Sequence, residues 1–294
     1  MKQVLLVALL CAAFSLSACG EQPETEYVPD ILRIGVLPDE SESVLNAKFS
    51  PLGQYLSSQV NRPYELVVPK DYAELVDRFE QGDFDLAYFG GLTFLQAQDR
   101  AAAVPLVMRD IDGHFSSYFI VSDDSQFRKL SEMKSMRLSF GSPLSTSGHL
   151  MPRFFLRENG IDPEAFFADV RFSGAHDRTA QWVVDGIVDV GAVNSVVVEE
   201  MLRDGRLGQQ AVRILWETPP YADYVWAVRA SMDEKFKHAL ADSFLSLSPV
   251  NPQHKSILTS LAAGGFLPAS SEDFRSLRDV AVAQRLVGVR EVRQ

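Results

Sequence analysis

The chain has 294 residues, of which 46% are hydrophobic and 10% aromatic, and it carries a formal net charge of −11. That composition excludes a disordered or fibrous chain and supplies a sizeable core, in two lobes at about 100–200 residues per domain. The acidic balance excludes a non-specific nucleic-acid binder, which needs a basic face; anion binding stays open, because the local field of a cleft can oppose the global charge.

Both cysteines, Cys11 and Cys19, fall near the start of the chain. Lys2 is a minimal charged beginning, an apolar run extends from Val4 to Phe14, and Leu16-Ser17-Ala18-Cys19 follows. The run is too short to span a bilayer, which takes about 20 residues. Leu-Ser-Ala-Cys resembles a bacterial lipobox, so the expectation is a lipoprotein signal peptide over 1–18 and a lipid on the Cys19 thiol. The alternative is an ordinary signal peptide whose apolar run precedes a cysteine. A polar, acidic tether completes the segment 19–30. No cysteine follows Cys19, so the folded part has no disulfide, no thiolate metal site and no cysteine nucleophile.

From Ile31 strands and helices alternate. Strands are expected over 32–38, 64–68, 84–91 and 104–108, with helices over 44–59, 71–81 and 93–98 between or after them. A second series begins with strands at 117–121 and 137–141 and a helix over 148–159. It continues with strand 170–173, helix 176–185, and strands 188–193, 212–216 and 224–228. The tail from Met232 reads as helical, with Asn251-Pro252 starting one helix and Gly264-Gly265 ending it. Alternation of this kind implies a mostly parallel sheet covered on both faces in each series. In open α/β sheets, ligands sit beyond the carboxyl ends of the strands, so strand-to-helix turns of two facing lobes would share one cleft.

Those turns carry the residues able to bind. Gly141-Ser142-Pro143-Leu144-Ser145-Thr146-Ser147-Gly148 follows a strand and opens a helix. Ser145, Thr146 and Ser147, with free backbone N–H groups, form either an anion cradle or a plain helix cap. Tyr88-Phe89-Gly90-Gly91 offers a phenol and glycines that let backbone donors approach a ligand; a tight turn needing positive φ is the other reason for paired glycines. Pro38-Asp39-Glu40-Ser41 ends the first strand in the same way, where Asp39 or Glu40 reaches the cleft or caps the next helix. His176, after Ser173-Gly174-Ala175, is a cleft donor or a structural histidine. Asn194 supplies an amide or caps the following helix. Tyr221, in Pro219-Pro220-Tyr221-Ala222-Asp223-Tyr224, lies at a return crossover and reads as a cleft-facing hinge residue or a surface turn. His114, His149, His176, His238 and His254 show no zinc spacing, and neither a Gly-x-Ser-x-Gly elbow nor a Walker A run is present. A hydrolase triad of Ser145, His176 and Asp177 has no spacing that would assemble it.

Taken together, Leu86 to Gly91, Ser145 to Arg153, Ser173 to Asp177 and Tyr221 to Arg229 resemble the phosphonate-binding family of periplasmic solute-binding proteins, over residues 31–290. Phe89-Gly90-Gly91-Leu92-Thr93-Phe94, the Ser-Gly-Ala-His-Asp run and Asn194 look most like its selenate-binding branch. The resemblance implies a two-lobed type II fold with two hinge crossovers, lobe 1 being 31–115 and 226–294 and lobe 2 being 116–225. It implies a non-catalytic, monomeric receptor without cofactor or metal. Such a receptor is tethered in the cell envelope, closes on a small oxyanion, and presents it to an ABC permease or to a sensor kinase. Ser145, Thr146 and Ser147 would hold the anion oxygens, with Tyr88 and His176 donating. Family members that bind phosphonates commonly place an acid where this chain has Asn194. An amide donor there favours a fully ionised selenate- or sulfate-like dianion over a phosphonate or phosphite.

Overall fold

The structure, a computed structural model, describes residues 26–288; the expected signal peptide and Cys19 lie outside the described residues. Each of two α/β lobes is built on its own sheet. In the first, β1 (Leu32–Val36), β2 (Tyr64–Val67), β3 (Leu86–Phe89) and β4 (Val104–Arg109) alternate with α1 (Glu42–Val60), α2 (Tyr72–Gln81) and α3 (Gly91–Ala101). The chain then crosses over. β5 (Ser117–Ser122), β6 (Arg137–Phe140), β7 (Asp169–Phe172), β8 (Val190–Asn194) and β9 (Val212–Glu217) form the second sheet, flanked by α4 (Met151–Glu158), α5 (Pro163–Phe166), α6 (His176–Val184) and α7 (Ser195–Arg203). The return is β10 (Val225–Val228), followed by α8 (Glu234–Leu245), α9 (Pro252–Ser260), β11 (Phe266–Pro268) and α10 (Arg275–Ala283).

The strand orders are β11-β4-β10-β3-β1-β2 and β7-β6-β8-β5-β9. β1 pairs in parallel with β2 and β3, and β6 with β7 and β8, but β10 and β5 run antiparallel to both of their neighbours. The sheets are therefore mixed, where the alternation predicts mostly parallel ones. Each reversed strand is the first after a crossover and enters from the cleft edge. Val225 opens β10 opposite Phe89, which closes β3, and Ser117 opens β5 opposite Asn194, which closes β8. This juxtaposition puts strand ends of both lobes at one place.

Local sequence explains the elements. Leu32, Ile34 and Val36 are buried, and a side chain at Gly35 would meet Phe84 at 2.7 Å and Leu75 at 2.9 Å, so β1 packs closer than any other residue permits. Asp71 caps α2 by accepting from Glu74 N, Gly82 ends it at φ +88°, and Asp233 and Asn251 cap α8 and α9 through their side chains. The tail departs from an all-helical expectation. α9 ends before Gly264-Gly265, and the chain then adds β11 to the edge of β4.

The two crossovers pair with each other. Phe115 and Tyr221 exchange both backbone hydrogen bonds, Thr218 N donates to Ser117 O, and Asp223 N donates to Asp112 O. Asp112, fully buried, receives Arg109 N at 2.8 Å and the Arg109 guanidinium at 2.6 Å, and Arg109 also donates to Leu261 O. Breaking a buried ion pair strands a charge, so Asp112→Ala is expected to lower stability by about 3–5 kcal/mol. Urea unfolding measures this; a loss below about 1 kcal/mol, the range of exposed pairs, would show that the hinge does not depend on it.

Candidate functional site

The β6–α4 turn opens α4 through a π-helical turn, Thr146–Leu150, a local widening common where a helix start does functional work. Ser145 Oγ accepts from Gly148 N at 2.9 Å, so Ser145 is the cap. Thr146 Oγ1 crosses to the other lobe and accepts from Leu92 N at 2.8 Å. Each of these oxygens accepts, which leaves its O–H to donate. Ser147 Oγ is buried and makes no hydrogen bond of normal geometry, although its hydroxyl, like that of Thr146, faces the Asp223 carboxyl.

His176, at the start of α6, is completely buried. Its Nδ1 accepts from Asn194 N at 3.1 Å, which places the ring proton on Nε2, and Nε2 has no partner. Burial lowers its pKa to about 4, so the imidazole is a neutral Nε2–H donor. A side chain at Gly148 would meet His176 Cε1 at 2.8 Å and Ser145 Oγ at 2.9 Å; only glycine lets the ring lie over this turn.

Two carboxyls face the same region. Asp223 Oδ1 accepts from Gly91 N at 2.9 Å while Oδ2 is buried and unpartnered. Burial pushes its pKa up to about 7, opposed only in part by the Gly91 N–H and the hydroxyls of the turn. Asp39 Oδ2 accepts from the Tyr224 hydroxyl at 2.8 Å, and burial and the neighbouring Glu40 charge push it up to about 7. The Tyr72 hydroxyl, also buried and without a hydrogen bond of normal geometry, is held far above the usual phenol range by burial and Asp39, against an opposing interaction with the Ser145 hydroxyl. Among the described residues, five buried side-chain atoms have no partner; Ser147, His176, Asp223 and Tyr72 supply four of them. Three are donors by chemistry and the fourth is a carboxyl oxygen, a set that suits an oxyanion still carrying a proton.

Around this centre the lobes are joined by charge. Glu40, from the β1–α1 turn, lies between Lys48 of α1 and Arg206 of the second lobe, each at 2.5 Å, and Lys48 reaches across to Glu200 at 2.8 Å. Burial alone would raise the Glu40 carboxyl, but Lys48 and Arg206 outweigh it and hold it below its usual value. His176 N donates to Asp39 O and Ser41 N to Asp177 Oδ2, both at 2.8 Å. Ser41, not Asp39 or Glu40, occupies the cap position of α1. Beside the centre lies a cavity of about 20 Å³, lined by Asp39, Lys48, Tyr88, Asn194, Glu200 and Tyr224 among others, room for one water-sized group.

The structure thus brings Ser145, Thr146, Ser147 and His176 together and gives the other expected residues different work. Gly90 and Gly91 have no positive φ; they lie within contact of Thr146 and Asp223, and the Gly91 and Leu92 N–H groups are already taken by those side chains. Tyr88 stacks on Tyr224 with ring centroids 5.1 Å apart and lines the small cavity. Asn194 Oδ1 caps α7 by accepting from Val197 N, and Nδ2 donates to the Tyr224 hydroxyl at 2.8 Å. Tyr221 is buried in the hinge, its hydroxyl hydrogen-bonded to Ser117 Oγ. Asp177 is turned to Ser41 and Arg178 N rather than to His176, so no Ser145–His176–Asp177 triad is assembled. Sequence reasoning missed Tyr72 and the binding potential of Asp223. Tyr72 follows strand β2 at the same kind of turn, and Asp223 is an acid inside an aromatic hinge run. Among the described residues, no group of three or more His, Cys, Asp and Glu side chains could hold a metal ion.

Comparison with known proteins is specific. The family described as "ABC transporter, phosphonate, periplasmic substrate-binding protein" matches residues 34–274. The probable ABC transporter phosphite binding protein PhnD1 of Prochlorococcus marinus (strain MIT 9301) is 31% identical over 86% of this chain and 89% of its own length. The phosphate-import protein PhnD of Mycolicibacterium smegmatis is 28% identical over 93% and 92%. The solved structure of the Prochlorococcus PhnD1 in complex with methylphosphonate superposes with a TM-score of 0.83 at 30% identity, covering 88% of this chain and all of that one.

Glu200→Gln removes a charge-assisted contact between the two lobes, while Lys48 keeps Glu40. A hydrogen bond to a charged group contributes about 1.5–3 kcal/mol, so ligand affinity should fall by about 10-fold or more. Calorimetry on both proteins reads this directly; equal affinities would show that the pair makes no contribution to closure.

Proposed function

This chain belongs to the phosphonate-binding family of ABC transporter periplasmic substrate-binding proteins, and we propose that its ligand is a small phosphonate or phosphite that retains one proton. It is a binding protein and not an enzyme, with the two-lobed type II periplasmic binding protein fold. The observation that carries the ligand assignment is the pairing of unpartnered donors, Ser147, His176 and Tyr72, with the buried Asp223 carboxyl. The donors neutralise oxygens of the anion. The acid accepts the P–OH proton that the ligand brings, where two bare negative charges would repel.

This reading replaces the selenate- or sulfate-like ligand expected from Asn194. That expectation needed an amide aimed at the anion, whereas the Asn194 amide donates to Tyr224 and two acids face the centre instead. A sulfate or selenate dianion has no proton to offer Asp223 or Asp39. The relatives' names, phosphite binding and phosphate import, and the bound methylphosphonate share that chemistry: a small tetrahedral phosphorus oxyanion able to hold one proton.

In this proposal 31–115 with 226–294 and 116–225 are the lobes that close, as a monomer, and the loaded form docks on an ABC permease. A lipid on Cys19 holds the receptor to a membrane of the cell envelope, and Cys19→Ser in the full chain should move the protein from the membrane to the soluble fraction. Calorimetry on residues 21–294 tests the ligand. Phosphite and methylphosphonate should bind about 10-fold or more tighter than sulfate and selenate, a difference of about 1.4 kcal/mol. Tighter binding of sulfate or selenate would overturn the assignment.

A further inference from the structure

The anion-facing turn contains Pro143, which has no N–H, and is held by few backbone bonds: Gly141 N to Gly148 O, Ser145 N to Ser142 O, and Leu150 N to Ser145 O. A side chain completes it. His149 Nδ1 lies 2.7 Å from Pro143 O, and its Nε2 lies 2.8 Å from Arg153 Nε. A carbonyl only accepts and a guanidinium N–H only donates, so the ring must carry its proton on Nδ1 and present a bare Nε2. The ring is packed edge-on between Phe140 and Phe172, at 5.1 and 4.9 Å. Arg153 is itself anchored, over the Phe140 ring at 4.9 Å and on Glu164 of α5 at 2.5 Å. Nothing in the ligand reading uses His149, although it is two residues from Ser147 on the same π-helical turn.

We propose that His149 is a positioning residue: its neutral imidazole, donating from Nδ1 to Pro143 O and accepting at Nε2 from Arg153, sets the shape of the turn that aims Ser145, Thr146 and Ser147 at the anion. The inference rests on reading that turn as the anion cradle. A charged imidazole has no acceptor, and an aliphatic side chain has neither group; a glutamine amide offers both. Burial and the Arg153 charge favour the neutral ring, lowering its pKa to about 4, although the Pro143 carbonyl opposes this.

The test compares wild type, His149→Leu and His149→Gln. Calorimetry with phosphite and methylphosphonate measures affinity, thermal unfolding measures stability, and ¹⁵N NMR reads the His149 tautomer and the amide shifts of residues 145–147. The expected results are an Nδ1–H tautomer in wild type and an affinity loss of about 10-fold or more in His149→Leu, with displaced amide shifts in the turn. His149→Gln should recover most of the affinity and the wild-type shifts. An Nε2–H tautomer, affinity within twofold of wild type in His149→Leu, or a glutamine variant no better than leucine would overturn the proposal. If His149→Leu does not fold, the tautomer and the glutamine variant decide it. If wild type binds neither anion, the cradle reading fails, while the tautomer and the turn's amide shifts still report whether the imidazole sets the turn.

Discussion

The structure depends on the cost of leaving polar groups buried and unpaired. Ser147 Oγ, His176 Nε2, Tyr72 OH and Asp223 Oδ2 are all withdrawn from solvent without a hydrogen bond of normal geometry, and they come from both lobes and the hinge. Each such group costs about 1–3 kcal/mol when nothing replaces its water. An oxyanion that accepts from the first three and shares a proton with the fourth removes that cost at one stroke. In the proposed complex closure adds Tyr72 of the first lobe to Ser147 and His176, which the second lobe holds together by itself.

The remaining architecture serves that convergence. The strands that follow the crossovers enter from the cleft edge, so the ends of β3 and β8 and the beginnings of β10 and β5 face one another. The paired crossovers carry Asp223 into the centre, held by Asp112 O on one side and by the Gly91 N–H on the other. The Arg206–Glu40–Lys48–Glu200 row alternates in sign across the gap, adding interlobe attraction without net charge beside the anion. The chain carries a net −11, yet the donors at its centre are neutral hydroxyls and an imidazole rather than cations. Neutral donors stabilise an anion without first requiring desolvation of a full positive charge.

Much of the fold was legible in the sequence, because caps and periodicity are local. Asp71 and Gly82 mark both ends of α2, and Asn251-Pro252 starts α9. β11 was not legible: Phe266-Leu267-Pro268 becomes a strand only because β4 offers it an edge. The site was legible where a motif has a local reason, as in the serine and threonine turn and His176. It was not where tertiary pairing decides. Asn194 is both a good cap and a good ligand donor by type, and only the proximity of Tyr224 shows where its amide goes. Tyr72 reads as a core aromatic of an amphipathic helix, and Asp223 as a polar hinge residue, until the crossovers and the second lobe bury them.

In the proposed complex a buried acid and the bound oxyanion share a proton. A carboxyl that solvent reaches titrates in the ordinary carboxylate range, whereas burial here pushes Asp223 up to about 7. A carboxyl raised on closing makes the closed form most favourable below the ordinary carboxylate range, and that advantage is lost as pH rises through about 7. Phosphite titration by calorimetry near neutral pH, in buffers of different ionisation enthalpy, measures the protons taken up. Wild type should take up protons, and Asp223→Asn fewer, with wild-type affinity falling above pH 7 by up to about 10-fold per pH unit for each proton. Binding without proton uptake, and equally tight on either side of pH 7, would contradict the shared proton.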